Sequence, residues 1–277
     1  MHHRLKLFVL PALLILAGYA KAGPCGSVPT SYDTLPGGRI NVGGFGQRFT
    51  VLAAGDVNYL DDTFTGPSFV QGNIGVGGRA NFSMSDGEID GDVYMNSFGK
   101  FKMSGPAHFT AGHGVINNQD SLLNSALNDY QNLSDAACGE ASSPTYASIT
   151  NVNITNASQS MSIMGGPNQK IVLNLQNFVM SAGTFTLQGT TTTTFIINIA
   201  KQFSLNNSKI LLSGVPAANV LFNIRSSGLQ ISLNQGTEMS GILLARNDKI
   251  SLSGGKVFGR VIGDQINITS GGQVISR

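Results

Sequence analysis

The sequence is poor in charged residues. Lys, Arg, Asp and Glu make up 12% of its 277 residues, against roughly a quarter in ordinary soluble proteins. The formal net charge is +2, and the basic residues form no cluster. Because nucleic-acid binding depends on counterions released by clustered Lys and Arg, we expect no nucleic-acid partner.

Long apolar segments are missing as well. No stretch reaches the roughly 18 consecutive apolar residues that a membrane-spanning helix needs. The one apolar run, Leu7 to Leu16, follows a basic start and precedes Ala20-Lys21-Ala22, which is the pattern of a signal peptide. We predict a signal peptide at 1–22, no membrane span, and a protein that is secreted, periplasmic or on the cell surface.

Cysteine is scarce too, since the chain contains only Cys25 and Cys138. In an oxidising compartment such a pair predicts a disulfide. Metal binding is the weaker alternative, because the spacing matches no ligand motif. No nucleophile elbow is present, although paired acids for glycoside cleavage remain an alternative. We therefore expect a protein without enzymatic activity, cofactor or metal.

Short alternating runs of apolar residues between turns are abundant. From Phe49 onwards, segments such as "SFVQGNIGVGGRANFSM" and "KIVLNLQNFVMSAGTFTLQG" alternate with a period near two and end at Gly, Asn or Asp. This texture predicts many short strands. We predict a lead-in or cap at 23–48 and one discontinuous domain at 49–277, with strands at 49–116 and 152–277.

One segment departs from this texture. Apolar residues spaced three or four apart predict an amphipathic helix at 118–138, with Asp120 or Asn118 as its cap and Gly139 after its end. The apolar stripe consists of Leu122, Leu123, Ala126, Leu127, Tyr130, Leu133 and Ala137. A single amphipathic helix among strands is expected to lay this stripe on a sheet.

A weak repeat closes the chain. Gly241 and Gly259 are eighteen residues apart, Met239 and Val257 likewise, and Gly254 and Gly271 are seventeen apart. This period is close to one coil of a β-solenoid with three short faces. Successive coils stack through backbone hydrogen bonds about 4.8 Å apart, and every second side chain points inward. The outward positions are then free to be small and neutral.

The order of these segments resembles two related families. Gly55-Asp56, "GNIGVGG" at Gly72 to Gly78, the intervening helix and "GILLARNDKISLSGGKVFGRVIG" at Gly241 to Gly263 resemble the choice-of-anchor A family, a group of adhesive surface domains, and the ice-binding-like family. The resemblance covers roughly Phe49 to Ile275. It implies a right-handed parallel β-solenoid, mainly β, with one α-helix packed alongside. Ala245-Arg246-Asn247 departs from the Ala-Pro-Asn more usual in the adhesive group.

Two functions follow from the resemblance. The leading one is an adhesin-like protein whose outward faces bind an extracellular surface or polymer. The alternative is an ice-binding protein, for which the candidate surface residues are Thr184, Thr186, Thr190, Thr192 and Thr194. Thr also fills exposed strand positions because of its strand propensity. Ice binding predicts one face with outward Thr, Ser and Ala stacked over four or more coils.

Two acidic runs are weaker candidates for Ca²⁺ binding. Asp56, Asp61 and Asp62 lie near Asn58, whereas Asp86, Glu88, Asp90 and Asp92 alternate along a predicted strand. Neither run matches a known calcium loop, so a solvated strand face is the simpler interpretation. For His108 and His113 we expect surface turns and not a metal pair or a catalytic base.

Overall fold

The computed structural model describes residues 43–55, 57–60 and 68–276. The predicted signal peptide at 1–22 and most of the lead-in at 23–48 lie outside the described residues. Within them, no helix is long and apolar enough to cross a membrane.

The described chain is mainly β, with helices α1 (Gly43–Gly46) and α2 (Asp120–Gly139) and short 3-10 turns at Pro144–Tyr146 and Ala217–Asn219. The strands are β1 (Val51–Ala53), β2 (Val57–Leu60), β3 (Phe69–Gln71), β4 (Ile74–Val76), β5 (Phe82–Met84), β6 (Glu88–Asp90), β7 (Val93–Met95), β8 (Phe101–Met103), β9 (His108–Phe109), β10 (Val115–Ile116), β11 (Asn151–Ile154), β12 (Ser160–Met164), β13 (Lys170–Met180), β14 (Thr184–Gln188), β15 (Thr194–Leu205), β16 (Lys209–Ser213), β17 (Val220–Ile224), β18 (Gln230–Asn234), β19 (Glu238–Ser253), β20 (Lys256–Thr269) and β21 (Gln273–Ile275).

The ladders between these strands are parallel and divide the sheet into three faces. Face A stacks β13, β15, β17, β19, β20, β1, β4, β7 and β10 in that order. Face B stacks β11, β13, β15, β18, β19, β20, β2, β5 and β8. Face C stacks β12, β14, β16, β19, β20, β21, β3, β6 and β9. The long strands β13, β15, β19 and β20 therefore turn a corner and serve two or three faces each.

The chain order in this stack is discontinuous. The last strands of the chain pair with the first ones: Val261 lies opposite Val51 on face A, and Val274 lies opposite Val70 on face C. The segment before α2 thus extends the stack from its middle to one end, and the segment after α2 builds the other part.

The register shows how far the repeat extends. Met239 pairs with Val257 and Gly241 with Gly259, so the eighteen-residue repeat is confirmed for the last coils. At Gly259 the φ angle is +146°, and an added Cβ would lie 2.0 Å from the Gly241 carbonyl oxygen, so only glycine fits there. Earlier coils are longer, since Lys170 pairs with Thr194 and Phe195 with Val220. The eighteen-residue period therefore holds for the end of the chain and not for its middle.

Alternation along the strands produces the core. Inward side chains such as Phe82, Phe178, Phe195 and Phe222 are fully buried and belong to one apolar cluster that runs through the stack. The edge-to-face contact of Phe178 with Phe222, at 5.8 Å between ring centroids, is typical of aromatic packing across coils.

Helix α2 lies on the outer side of face A. Leu123, Ala126, Tyr130 and Leu133 are buried against outward residues of that face, as its apolar spacing predicts. The predicted cap was wrong, because Gln119 occupies the cap position without a side-chain hydrogen bond. The Asp120 carboxylate instead accepts hydrogen bonds from the Ser97 N–H, which lowers the pKa of Asp120.

Candidate functional site

Face A is not available for binding, because a ladder of asparagines attaches α2 to it. Asn223 Nδ2 donates to the Ser134 carbonyl at 3.0 Å, Asn198 Nδ2 to the Ala137 carbonyl at 2.7 Å, and Asn174 Nδ2 to the Glu140 carbonyl at 2.9 Å. Ala137 belongs to the last turn of α2, where carbonyls lack an i+4 partner within the helix, and Glu140 follows the end of the helix.

The same asparagines bond to each other across coils. Asn223 Nδ2 donates to Asn198 Oδ1 and Asn198 Nδ2 to Asn174 Oδ1, both at 2.8 Å. Our sequence reasoning missed this ladder. Its signal is the recurrence of Asn between apolar residues in "VLNL", "FIINI" and "VLFNI".

Face B presents amide and hydroxyl groups outward over successive coils. Its strands alternate buried and accessible positions, so that one side is core and the other is solvent. From β11 to β20 the outward residues are Asn151, Asn153, Asn177, Val179, Gln202, Ser204, Gln230, Ser232, Asn234, Lys249, Ser251, Ser253, Gln265, Asn267 and Thr269. Val179 is the one apolar residue among them, Lys249 is the one charged residue, and none is acidic.

These side chains form rows along the stack. Ser232 lies opposite Ser251, which lies opposite Asn267, and Gln230 lies opposite Lys249. At the β11 end, Asn177 Nδ2 donates to Asn151 Oδ1 at 2.8 Å, so adjacent amides already order each other. The rows repeat at the coil spacing of about 4.8 Å, which creates a preorganised array of donors and acceptors.

A shallow groove lies on face B at the β11 end of the stack. It has a volume of about 300 Å³ and is lined by Asn151, Asn153, Asn177, Val179 and Gln202. The pattern behind face B is visible in the sequence as polar residues at every second position in "NVNI", "LQISLN" and "QINIT".

Face C is more mixed in character. One row runs Lys209, Glu238 and Lys256, with a Lys209–Glu238 ion pair at 3.3 Å. A second row sets Phe258 opposite Ser240 and Ile275. Charged and apolar side chains therefore interrupt any uniform array on this face.

The predicted Thr site is divided between three environments. Thr184 and Thr186 point outward on face C, within the single strand β14. Thr190 and Thr192 lie in the corner between β14 and β15, where their hydroxyl oxygens are 3.1 Å apart. Thr194 is only 1% exposed, because it begins β15 beneath the surface. Including Thr194 in a surface site was therefore wrong.

Within the described residues, no face carries outward Thr, Ser and Ala over four successive coils. The longest such row on face B is Ser204, Ser232 and Ser251, which Val179 and Asn267 flank. On face C, Ser162 and Thr186 are followed by Leu211.

Among the residues that the structure describes, the other candidates do not converge on a site. Asp56, Asp61 and Asp62 lie outside the described residues. Cys25 lies outside them too, so its disulfide with Cys138 stays a prediction. Cys138 itself is 8% exposed near the end of α2. No group of three or more His, Cys, Asp or Glu in the described part of the chain could hold a metal ion.

The remaining acidic and histidine residues have local roles. Asp92 Oδ1 accepts from the Gly114 N–H and lies 3.4 Å from His113 Nδ1. His108 Nδ1 lies 3.1 Å from the Pro106 carbonyl oxygen. Glu88 and Asp90 point outward on face C.

A cleft of about 480 Å³ follows the corner between faces A and B. Its charged lining residues are Arg79, Lys249 and Asp264. Beneath it, Asp248 is 1% exposed and accepts hydrogen bonds from Ser226 and from the Leu229 N–H. Burial raises the pKa of Asp248. Among the described lining residues Asp264 is the only acid, so they lack the carboxylate pair that glycoside hydrolysis uses.

Several solved structures share this architecture at low sequence identity. An ice-binding protein from the Antarctic ascomycete Antarctomyces psychrotrophicus matches with a TM-score of 0.52 and 16% identity over 84% of this chain and 97% of its own. An ice-binding protein from an Antarctic biological consortium matches with a TM-score of 0.50 and 18% identity over 90% and 93%. One from an Arctic yeast matches with 0.51 and 14% over 84% and 93%. These likenesses identify the fold as that of the β-solenoid ice-binding proteins.

Among curated protein sequences, none matches this chain. The model of one protein family, described as "Putative Ice-binding-like adhesive domain", matches residues 37–275. This range includes all three faces and α2. The chain therefore belongs to the ice-binding-like adhesive domain family.

Proposed function

We propose that this protein is an exported, non-enzymatic adhesive module that binds an uncharged, hydroxyl-rich polymer through face B. The observation that carries the proposal is the outward composition of face B from β11 to β20. Amides and hydroxyls fill it almost completely, and Lys249 is the only charge.

The chemistry of these groups suits a polymer with hydroxyl groups. Each Asn or Gln amide offers hydrogen-bond donors and an acceptor, and each Ser hydroxyl can both donate and accept a hydrogen bond. Sugar hydroxyls have the same dual capacity, so they can replace the water that covers face B. Individual contacts are weak, but the stacked backbone already fixes their positions, which lowers the entropy lost on binding.

Export and the lack of catalysis belong to the same proposal. The signal-peptide pattern at 1–22 supports export to the medium, the periplasm or the cell surface. The description of the family as an adhesive domain supports a binding role over catalysis. We also take the winding to be right-handed, as parallel crossover connections nearly always are.

Ice binding is the second candidate. The shared fold and the three stacked hydroxyls of Ser204, Ser232 and Ser251 favour it. Against it stands the division of the Thr residues between face C, a corner and the core. Clear thermal hysteresis of the purified protein, lost on changing Ser251, would favour ice binding over the adhesive role.

Adsorption to an insoluble neutral polysaccharide such as microcrystalline cellulose tests the adhesive role. Two variants of the same strand form a matched pair: Ser251→Arg places a long charged side chain on face B, and Ser240→Arg places it on face C. We expect Ser251→Arg to weaken adsorption about tenfold, roughly 1.4 kcal/mol. Ser240→Arg should bind as the wild type does.

The salt dependence gives an independent check. Because face B has almost no charge, raising the ionic strength from about 0.05 M to 0.5 M should change the affinity less than about twofold. Equal losses in both variants, or a steep decrease with salt, would exclude face B as the binding surface.

A further inference from the structure

The two ends of the stack differ in how they are closed. We call the end formed by β11, β12 and the first part of β13 the tail end, and the end formed by β8, β9 and β10 the head end. The segment after α2 covers the tail end. Tyr146 and Ile149 pack against the core there.

Hydrogen bonds hold this cover in place. The Tyr146 hydroxyl donates to the Met164 carbonyl at 2.8 Å and accepts from the Met164 N–H at 3.0 Å. The Ser143 N–H donates to the Val172 carbonyl, and Ser143 Oγ accepts from the Val172 N–H, both at 2.9 Å. The edges of β12 and β13 are therefore occupied by the chain itself.

The head end has no such cover among the described residues. Phe101, Met103, Phe109 and Val115 point inward but are only half-buried. One coil further in, Phe82, Met84, Ile89 and Val93 are at most 1% exposed. The outer edges of β8, β9 and β10 pair with no strand in the described part of the chain. A solenoid end that exposes core residues and strand edges is a template for association.

We propose that the head end is the interface of a homodimer in which two copies meet head to head about a twofold axis. A second copy offers what this surface lacks: apolar side chains and strand edges at the same spacing. Because Tyr146 and Ser143 already bond to β12 and β13, a head-to-tail stack could extend the sheet only at β11. The head-to-head contact is isologous and closed.

Helix α1 contacts α2 away from the head end. The N–H groups of Phe45 and Gly46 donate to Asp129, about 14 Å along α2 from its first residue at a rise of 1.5 Å per residue.

Charge favours a twofold axis through face A over one through face B. If face B met face B, Lys102 would oppose its own copy. If the axis passes through face A, β10 meets β10 and β8 meets β9 of the partner. Each Lys102 then lies about two coils, roughly 10 Å, from the outward acids Glu88 and Asp90 of the other copy. Like charges are separated and unlike charges approach each other.

Sedimentation equilibrium of the mature chain 23–277 over a wide concentration range tests this proposal. We expect the mass to rise from one copy to two. Phe109→Lys should give a monomer at every concentration, and Lys102→Glu, which is on the solvent side, should raise the Kd roughly tenfold. Met164→Lys is the matched control, since this 63% exposed residue is at the tail end.

Hydrogen exchange of the wild type supplies a readout that needs no variant. Amides of residues 101–116 should exchange more slowly at high than at low protein concentration. A monomer at all concentrations would overturn the proposal. The proposal would also be overturned if Met164→Lys abolished the dimer while folded Phe109→Lys retained it. Equal protection of the head-end amides in dilute monomer would overturn it too, because it would indicate that the N-terminal segment covers them.

Discussion

Replacing Asn198 with alanine tests whether the asparagine ladder attaches α2 to face A. The Asn198 side chain is 6% exposed and takes part in three hydrogen bonds. Its removal deletes a donor to the Ala137 carbonyl and to Asn174 Oδ1, and an acceptor for Asn223 Nδ2. The Asn223 amide keeps its bond to Ser134, and the Ala137 carbonyl keeps the Glu140 N–H at 3.3 Å.

The magnitude follows from these remaining partners. A net loss of about 1 kcal/mol for each of three hydrogen bonds, with the buried partners partly satisfied elsewhere, gives roughly 2–3 kcal/mol. For a chain of this size that corresponds to a decrease of about 4–12 °C in the melting temperature. Asn177→Ala is the control, because Asn177 has one such bond, to Asn151, at the solvent side of face B. It should change stability by less than about 0.5 kcal/mol.

Urea unfolding followed by circular dichroism measures both variants. If Asn198→Ala unfolds within about 0.5 kcal/mol of the wild type, the ladder does not hold the helix. Apolar packing alone would then hold α2 on face A and make this face inaccessible.

Three further predictions concern single sites. Burial raises the pKa of Asp248, so its contribution to stability is fully present at low pH and is lost as pH rises through the folded-state pKa. In urea unfolding at pH 3 and pH 7, Asp248→Asn should have a higher free energy of unfolding than the wild type only at pH 7. An increase of the same size at both pH values would contradict this. Gly259→Ala should lower the free energy of unfolding by about 3 kcal/mol or more, because the added Cβ would meet the Gly241 carbonyl oxygen. Gly114→Ala, with open space around it, should leave stability unchanged, and thermal melts of both variants measure the difference. Tyr130→Phe removes a buried hydroxyl that donates to the Gly46 carbonyl at 2.9 Å; thermal melts should show a loss of about 1 kcal/mol, and an unchanged melting temperature would mean that α1 is held by other contacts.

The sequence predicts the architecture because each coil repeats a simple rule. Alternation of apolar and polar residues places Ile250 and Leu252 inside and Ser251 outside, and a three-to-four spacing places Leu123 and Tyr130 on one side of a helix. Such local periodicities survive in the fold, so the helix predicted at 118–138 spans Asp120–Gly139.

The candidate site could not be predicted in the same way, because it depends on register. Which outward residues share a row is set by corners of varying length, and the chain places β1 next to β20 across more than two hundred positions. The Thr run is prominent in sequence, yet the corner before β15 buries Thr194 and separates Thr190 from Thr186. The amide rows of face B are inconspicuous in sequence because each coil contributes only two or three of their members.

Amine footprinting of the adsorbed protein tests most directly whether face B is the contact surface. Lys249 lies in a row of face B, whereas Lys209 and Lys256 lie on face C of the same molecule. With the wild type adsorbed to cellulose, we predict that acetylation of Lys249 decreases strongly relative to the free protein and that Lys209 and Lys256 react as before. Protection of Lys209 and Lys256 with unchanged reactivity of Lys249 would contradict the account.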